Sequence, residues 1–218
     1  MDGRQLHGRI GRLVDAMTRL EEEFARSVAL SDLFHDVLSE EGQVLADRRR
    51  MIALAFAALC LEHRAAFLLL VKHGANAAAM TLTRAILEAH IRTLWAHEVA
   101  TDEQIERFFA GQYDPKVEST LQALKRKGPE HCALFEILRT HHATLSDYAH
   151  GGPRHVSRWI QQGEIGPKYS EGQMIEALQF VDIIGVMSAT AREALLDKST
   201  QHLSERLNEM LTRADPSG

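Results

Sequence analysis

Eleven apolar residues from Met51 to Leu61, then Glu62-His63-Arg64, then seven more apolar residues from Ala65 to Val71, constrain this chain more than any other feature in it. A helix that is apolar nearly all round is covered by neighbours on most sides, so the run reads as the central helix of a bundle. A second apolar segment follows Gly74, and the whole stretch from Leu45 to Ala100 reads as two long helices in an antiparallel hairpin. In such a pair a residue twelve positions before the turn lies level with one twelve after it, which sets Glu62 against the neighbourhood of Ile86. Arg84 and Glu88 bracket that level, one helical turn apart on one face. The spacing predicts a Glu62, Arg84, Glu88 cluster inside the bundle, with His63 beside it.

Two readings of that cluster stand side by side. The first is a structural ion network, because an unpaired ion in a protein interior costs several kcal/mol and therefore has to find a partner. The second is a functional site, because ionisable groups in apolar surroundings are where proton affinities are displaced. Replacing Arg84 by Met separates them: a folded but inactive variant points to a site, and a chain that fails to fold points to architecture.

The rest of the composition agrees with helices. The chain has 218 residues, 45% of them hydrophobic, few prolines and few aromatics, and Ala, Leu, Glu and Arg in abundance. The fold class expected is all-α, a multi-helix bundle built on the central hairpin. Length and uniform composition support one domain overall, with N-terminal helices over residues 1–44 and a bundle core over residues 45–213. A balance of 25 basic against 30 acidic residues produces no global field toward nucleic acid. The basic triplets Arg48-Arg49-Arg50 and Lys125-Arg126-Lys127 read as solvated helix ends. Two cysteines, Cys60 and Cys132, make no disulfide framework and suit a reducing compartment. Met1 to Glu23 is charged throughout and has no secretory core. Residues 51–71 have the length of a membrane span, but three polar residues at the centre are the wrong place for lipid. A cytoplasmic protein without a membrane partner is expected.

Along the chain, Leu6, Ile10, Leu13, Met17, Leu20 and Phe24 fall at spacings of 4, 3, 4, 3 and 4, a seam for lengthwise packing on the protein's own bundle or on a second subunit. Ser31 reads as the N-cap of a short helix ending between Ser39 and Gly42. Thr101 with Gln104, and Ser170 with Gln173, have capping-box spacing. Asp114-Pro115 reads as a cap with Pro at the first helical position, opening a helix to Lys127. A further helix runs from Pro129 to the break at Gly151-Gly152-Pro153, followed by an irregular element to Pro167. The last helix starts at Ser170, and beyond Asp197 it becomes a polar tail with Leu203, Leu207 and Leu211, expected to fray or to lean on a partner.

Histidines collect late in the chain, at His131, His141, His142, His150 and His155. His150 stands out because it closes a helix before two glycines, where the helix dipole favours a cation and the backbone permits close approach. Tyr148 and Arg154 are near enough in sequence to share its pocket, and the plain alternative is a histidine that only caps carbonyls. Glu-x-x-His pairs on facing helices and His-Glu-x-x-His are absent, and His141 and His142 diverge by about 100° on a helix. Phosphate-loop, dinucleotide and nucleophile-elbow motifs are absent as well. No metal and no cofactor is expected.

The pieces Glu62-His63-Arg64, Val71-Lys72-His73-Gly74, Leu82-Thr83-Arg84-Ala85-Ile86-Leu87-Glu88-Ala89 and Leu145-Ser146-Asp147-Tyr148-Ala149-His150-Gly151-Gly152 resemble an uncharacterised family of bacterial, mainly proteobacterial, helical proteins. That resemblance implies the helical fold and draws attention to these residues; it carries no activity. The layout is more distantly similar to the HEPN superfamily of helical nucleases and nucleic-acid-associated proteins, whose ribonuclease members use an Arg and a His separated by four to six residues. Arg92 with His97 and Arg84 with His90 fit that spacing, although Thr93 stands where a polar amide or acid is common.

Two function classes follow. In a metal-independent ribonuclease or phosphodiesterase acting on RNA, His150 or His97 would be the general acid or base, and Arg84 or Arg92 would stabilise the charged phosphorane. In a non-catalytic module, a protein or small ligand would sit around Arg84, Glu88 and His150, with Glu62, His63, Tyr148, Arg154, Arg92 and His97 contributing, and the outer helices would form a homodimer. The acidic charge and the lack of a basic, aromatic surface favour the second.

Overall fold

A computed structural model describes residues 18–39, 47–128, 131–161 and 164–214. The first helix, α1 (Arg19–Ser39), starts at a capping box: the Thr18 hydroxyl accepts from the Glu21 N–H at 3.2 Å and the Glu21 carboxylate accepts from the Thr18 N–H at 2.7 Å. Of the expected N-terminal seam, Leu20 and Phe24 pack on the main core, while Leu6 to Met17 lie outside the described residues. Ser31 opens no helix. It sits mid-α1, donating to the Ser27 carbonyl at 3.3 Å and accepting from Arg64, so its capping chemistry is spent on a tertiary contact.

The hairpin forms as expected from α2 (Arg48–Lys72) and α3 (Asn76–Leu94), turning at Gly74 with a positive φ of 71°. Its register is read from paired groups: the Cys60 thiol donates to the Ile86 carbonyl at 3.4 Å, and Arg49 donates to the carbonyls of Ala96 (2.9 Å) and Ala100 (2.7 Å). Those two carbonyls belong to the end of α3, which runs on as one π-helical turn, Trp95–Val99. Arg49 thus satisfies acceptors that a helix C-terminus leaves open. Arg50 pairs with Asp197 at 3.1 Å and Arg48 with Glu106, so the basic triplet is used in ion pairs and carbonyl bonds within the chain.

Beyond the hairpin come α4 (Asp102–Phe109), α5 (Val117–Lys127), α6 (Cys132–His150) and the single turn α7 (Pro153–Val156). Both predicted capping boxes, at Thr101 and Ser170, are formed. Asp114 does not cap a helix. Its carboxylate pairs with Arg92 at 3.0 Å, and α5 begins three residues later with Lys116 as N-cap. A two-stranded ribbon, β1 (Ile160–Gln161) and β2 (Glu164–Ile165), pairs Ile160 with Ile165 and leads to α8 (Glu171–Leu195).

The polar tail is a separate helix, α9 (Gln201–Ala214), set off from α8 by Asp197 in a left-handed conformation (φ 57°). It folds back onto the chain. Leu203 is fully buried with Leu30, Phe34 and Val37 of α1 and Val186 of α8, and Leu207 and Met210 pack on the same cluster. A thin leucine stripe on a polar helix is enough to dock it on one groove.

Side-chain pairs fix the helix directions. Arg64–Asp182 and Arg50–Asp197 make α2 antiparallel to α8, whereas Leu20–Glu171, Ser27–Asp182 and Val37–Arg192 make α1 parallel to it. The main core lies where α2, α3 and α8 meet α5 and α6, around Phe67, Ile86, Leu87, Ile91, Leu124 and Leu178.

Candidate functional site

The charged interruption of α2 is a buried layer, as the sequence suggested, but Arg64 makes it and not Glu62. Glu62 is exposed and His63 half-buried, while Arg64 is 1% exposed. Its guanidinium donates to Asp182 Oδ1 through Nε (2.8 Å) and Nη2 (2.5 Å), to the Ser27 carbonyl (2.6 Å) and to Ser31 Oγ (3.1 Å). The Ser27 hydroxyl donates to Asp182 Oδ2 at 2.5 Å, and the Phe34 ring lies 4.6 Å from the guanidinium. Gly185 makes room, because a Cβ there would stand 2.8 Å from Arg64 Cδ and 3.1 Å from Phe34. Burial raises the Asp182 carboxyl above the ordinary carboxylate range, and Arg64 and Ser27 draw it back down. The predicted cluster failed on phase. Arg64 is two residues from Glu62, about 200° round the helix, so only one of them can face α8. The pair's polar atoms are taken up by three helices, and the layer holds α1, α2 and α8 together.

A second buried chain links α2, α3 and α8, one turn before Arg64 on α2. His90 Nδ1 lies 2.9 Å from Ser188 Oγ, Ser188 Oγ donates to Cys60 Sγ at 3.1 Å, and the Cys60 thiol donates to the Ile86 carbonyl. With the serine proton directed at sulfur, His90 must donate through Nδ1, which leaves Nε2 as a buried acceptor without a partner. Burial pushes Cys60 up to about 12 and His90 down to about 4. A thiol held protonated beside a neutral imidazole is not a nucleophile–base pair.

The residues expected to act together are dispersed. Arg84 and Glu88 do pair, at 2.6 Å and about three-quarters buried, as an i, i+4 couple on α3. His150 and His97 are exposed, and Arg92 is engaged with Asp114. Among the described residues, no hydrogen bond or ion pair joins His150 to Arg84 or His97 to Arg92. Arg154 bonds Asp147, its guanidinium at 3.5 Å and its backbone N–H at 3.2 Å.

The Gly-Gly break nevertheless brings a histidine against Tyr148, five residues further on than expected. Gly151 closes α6 in the left-handed region (φ 66°), and a Cβ on Gly152 would fall 2.9 Å from the Asp147 Cα. Both positions therefore need glycine, one for its φ and one for space. Pro153 at the first helical position then turns the chain back so that His155, not His150, returns to the end of α6. His155 is buried, its Nδ1 3.0 Å from the Tyr148 carbonyl and its ring edge-on to the Tyr148 ring at 5.5 Å. Tyr169 lies on another side of Tyr148, with ring centroids 6.4 Å apart.

Tyr148 forms part of the wall of a cleft of about 460 Å³ between α3, α6 and α8. Met80, Leu145 and Phe180 supply apolar surface, Thr83 and Thr144 hydroxyls, and Arg158 and Glu176 opposite charges. Next to it, two buried polar atoms have no partner: His155 Nε2 and the Tyr169 hydroxyl. Arg158 is half-buried, and no ion pair holds its guanidinium among the described residues. Of the residues expected at a site, Tyr148 is the one that lines this cleft. The Gly-Gly-Pro break marked a turn ahead of His155 and Arg158, but the return of the chain onto Tyr148 depends on the fold.

No curated protein and no solved structure gives a significant match to the chain. A family model described as a family of unknown function (DUF6988) matches residues 57–213, from Ala57 within α2 through nearly all of α9. The buried pair, the His90 chain and the Tyr148 cleft all fall within the matched residues, and α1 falls before them. By that match over most of its length, the chain belongs to this family of unknown function.

Proposed function

We propose that this protein is a helical binding module whose small ligand occupies the cleft at Tyr148. The observation that carries the reading is a half-open, partly apolar cleft whose wall holds the Thr83 and Thr144 hydroxyls and the Arg158 guanidinium, with two buried polar atoms left without partners beside its Tyr148 wall, His155 Nε2 and the Tyr169 hydroxyl. Unsatisfied buried polar groups are rare and costly, and a concave apolar site with a few convergent polar groups is the usual form of a small-molecule site. The test is ligand-observed NMR with a set of small aromatic and aliphatic fragments, wild type against Thr144→Trp, in which the indole fills the cleft. Fragments that bind wild type and are released from a folded Thr144→Trp support the reading. Fragments that bind both alike, or neither, refute it.

The partner best suited to the outer face of α2 is a second copy of the chain. Met51, Ala55, Ala58, Glu62, Ala65 and Leu69 recur at spacings of 4, 3, 4, 3 and 4 on that face, with Leu69 60% exposed. Set antiparallel about a twofold axis, the stripe is complementary to itself: Met51 of one copy meets Leu69 of the other, and Ala55 meets Ala65. One helix pair buries less than the roughly 800 Å² per partner of a stable interface, so association at tens of micromolar is expected. Light scattering across that range tests it, with Ala55→Glu as the breaking variant; a wild type that stays monomeric refutes it.

A further inference from the structure

We infer that the cleft at Tyr148 takes a small organic acid, its carboxylate held by the Arg158 guanidinium and its hydrocarbon part against Met80, Leu145 and Phe180. The inference rests on the binding reading above and adds the chemical class of the ligand.

Three observations point to an anion with an apolar body. Arg158 is the half-buried cation of the cleft, and no carboxylate of the described residues pairs with it, whereas the neighbouring Arg154 is bonded to Asp147 and Lys168 to Glu164 at 2.9 Å. A guanidinium drawn partly out of water without an acid partner is a ready fork for a planar carboxylate. Tyr169 is an electrostatic neighbour of Arg158, and its hydroxyl is buried and accepts or donates no bond. Burial pushes that hydroxyl up to about 12, so it keeps its proton and supplies no negative charge to offset the guanidinium. Met80, Leu145, Tyr148, Ala177 and Phe180 put hydrocarbon and aromatic surface in the wall beside the uncharged Thr83, Thr144 and Gln173, which suits an alkyl or aryl group. Glu176 is exposed at the rim, where water solvates it; it opposes an anion weakly and does not occupy the floor.

The rim glutamate turns the class into a signed test. The probes are phenylacetate, its neutral counterpart phenylacetamide and the cation phenethylamine, titrated by NMR against wild type, Arg158→Gln, Tyr169→Phe and Glu176→Gln. Phenylacetate is expected to bind at least tenfold tighter than the amide, to lose that advantage in Arg158→Gln, and to stay within twofold of wild type in Tyr169→Phe, whose hydroxyl does not line the cleft. Because its hydroxyl has no partner, Tyr169→Phe is expected to fold normally. Glu176→Gln is expected to tighten the acid. An amide that binds as well as the acid, an amine that binds best, or a Glu176→Gln variant that weakens the acid overturns the inference while leaving the cleft a binding site. Failure of all three probes, with other fragments still released by Thr144→Trp, also overturns the acid and spares the binding reading; failure of every fragment overturns both.

Discussion

Replacing Arg64 by Met tests the central layer most directly. Methionine keeps most of the volume against Phe34 and Gly185 but leaves Asp182, 2% exposed, with Ser27 as its sole hydrogen-bonding partner in the layer. Both groups are dry, so solvent screening does not soften the loss. Breaking a buried pair from one side costs roughly 3–5 kcal/mol. That is a large part of the roughly 5–15 kcal/mol that holds an ordinary domain together. At about 2–4 °C per kcal/mol for a chain of this size, the melting temperature should fall by roughly 6–20 °C. The double variant Arg64→Met with Asp182→Leu removes the stranded charge and should recover most of the loss. In the single variant the carboxyl has no cation to draw it down, and its folded proton affinity lies above the unfolded one. A raised carboxyl binds its proton more readily in the folded state, so that state gains as the pH falls. The deficit against wild type should therefore shrink from pH 7 towards pH 5. Urea unfolding followed by circular dichroism at both pH values provides the numbers. A single variant within 1 kcal/mol of wild type, or a double variant no better than the single, would refute the argument that the layer is held by charge pairing.

Buried His90, buried Cys60 and the turn at Gly151-Gly152 each have a measurable consequence. His90 sits near 4 against an ordinary 6.5, so the unfolded chain takes up its proton first on acidification; stability should fall by about 3 kcal/mol between pH 7 and pH 4 from this group, and His90→Leu should flatten that limb of the unfolding profile. Cys60, pushed up to about 12 and fully buried, should resist a thiol reagent in the native protein while half-buried Cys132 reacts, and both should react in denaturant; rapid modification of Cys60 would contradict its position. Gly151→Ala should cost about 1 kcal/mol through its left-handed φ, and Gly152→Ala about 2–3 kcal/mol because its methyl meets Asp147 backbone; equal costs in thermal melts would show that the turn is not packed as described.

The hairpin, both capping boxes, the glycine stops and the all-α class were legible because each rests on local chemistry: periodicity, a hydroxyl three residues before an amide, a residue that tolerates positive φ. The charged layer was legible in depth but not in direction. Residues 62–64 were placed at the right level, yet the choice between Glu62 and Arg64 depends on where α8 lies, and the carboxylate that answers Arg64 is 118 residues away. Asp114 was misread for the same reason, since a carboxylate before proline signals a cap until a distant arginine claims it. Ser31 looked like a cap and serves a guanidinium. Tyr148 was singled out at the helix end, but His155 and Arg158 reach its surroundings only because the chain doubles back at Pro153, which spacing alone does not reveal.

α1 lies ahead of the residues the family shares, yet it closes the buried pair with Ser27, Ser31 and Phe34. A chain started at Asp47 would keep the partners Arg64 and Asp182 but lose the cork above them. Water would then reach both charges, and a fixture of the interior would become an ordinary surface bridge worth about 1 kcal/mol or less. The same cut would bare the leucine stripe of α9 along with Leu61 and Val186, so the shortened chain should be stickier rather than merely weaker.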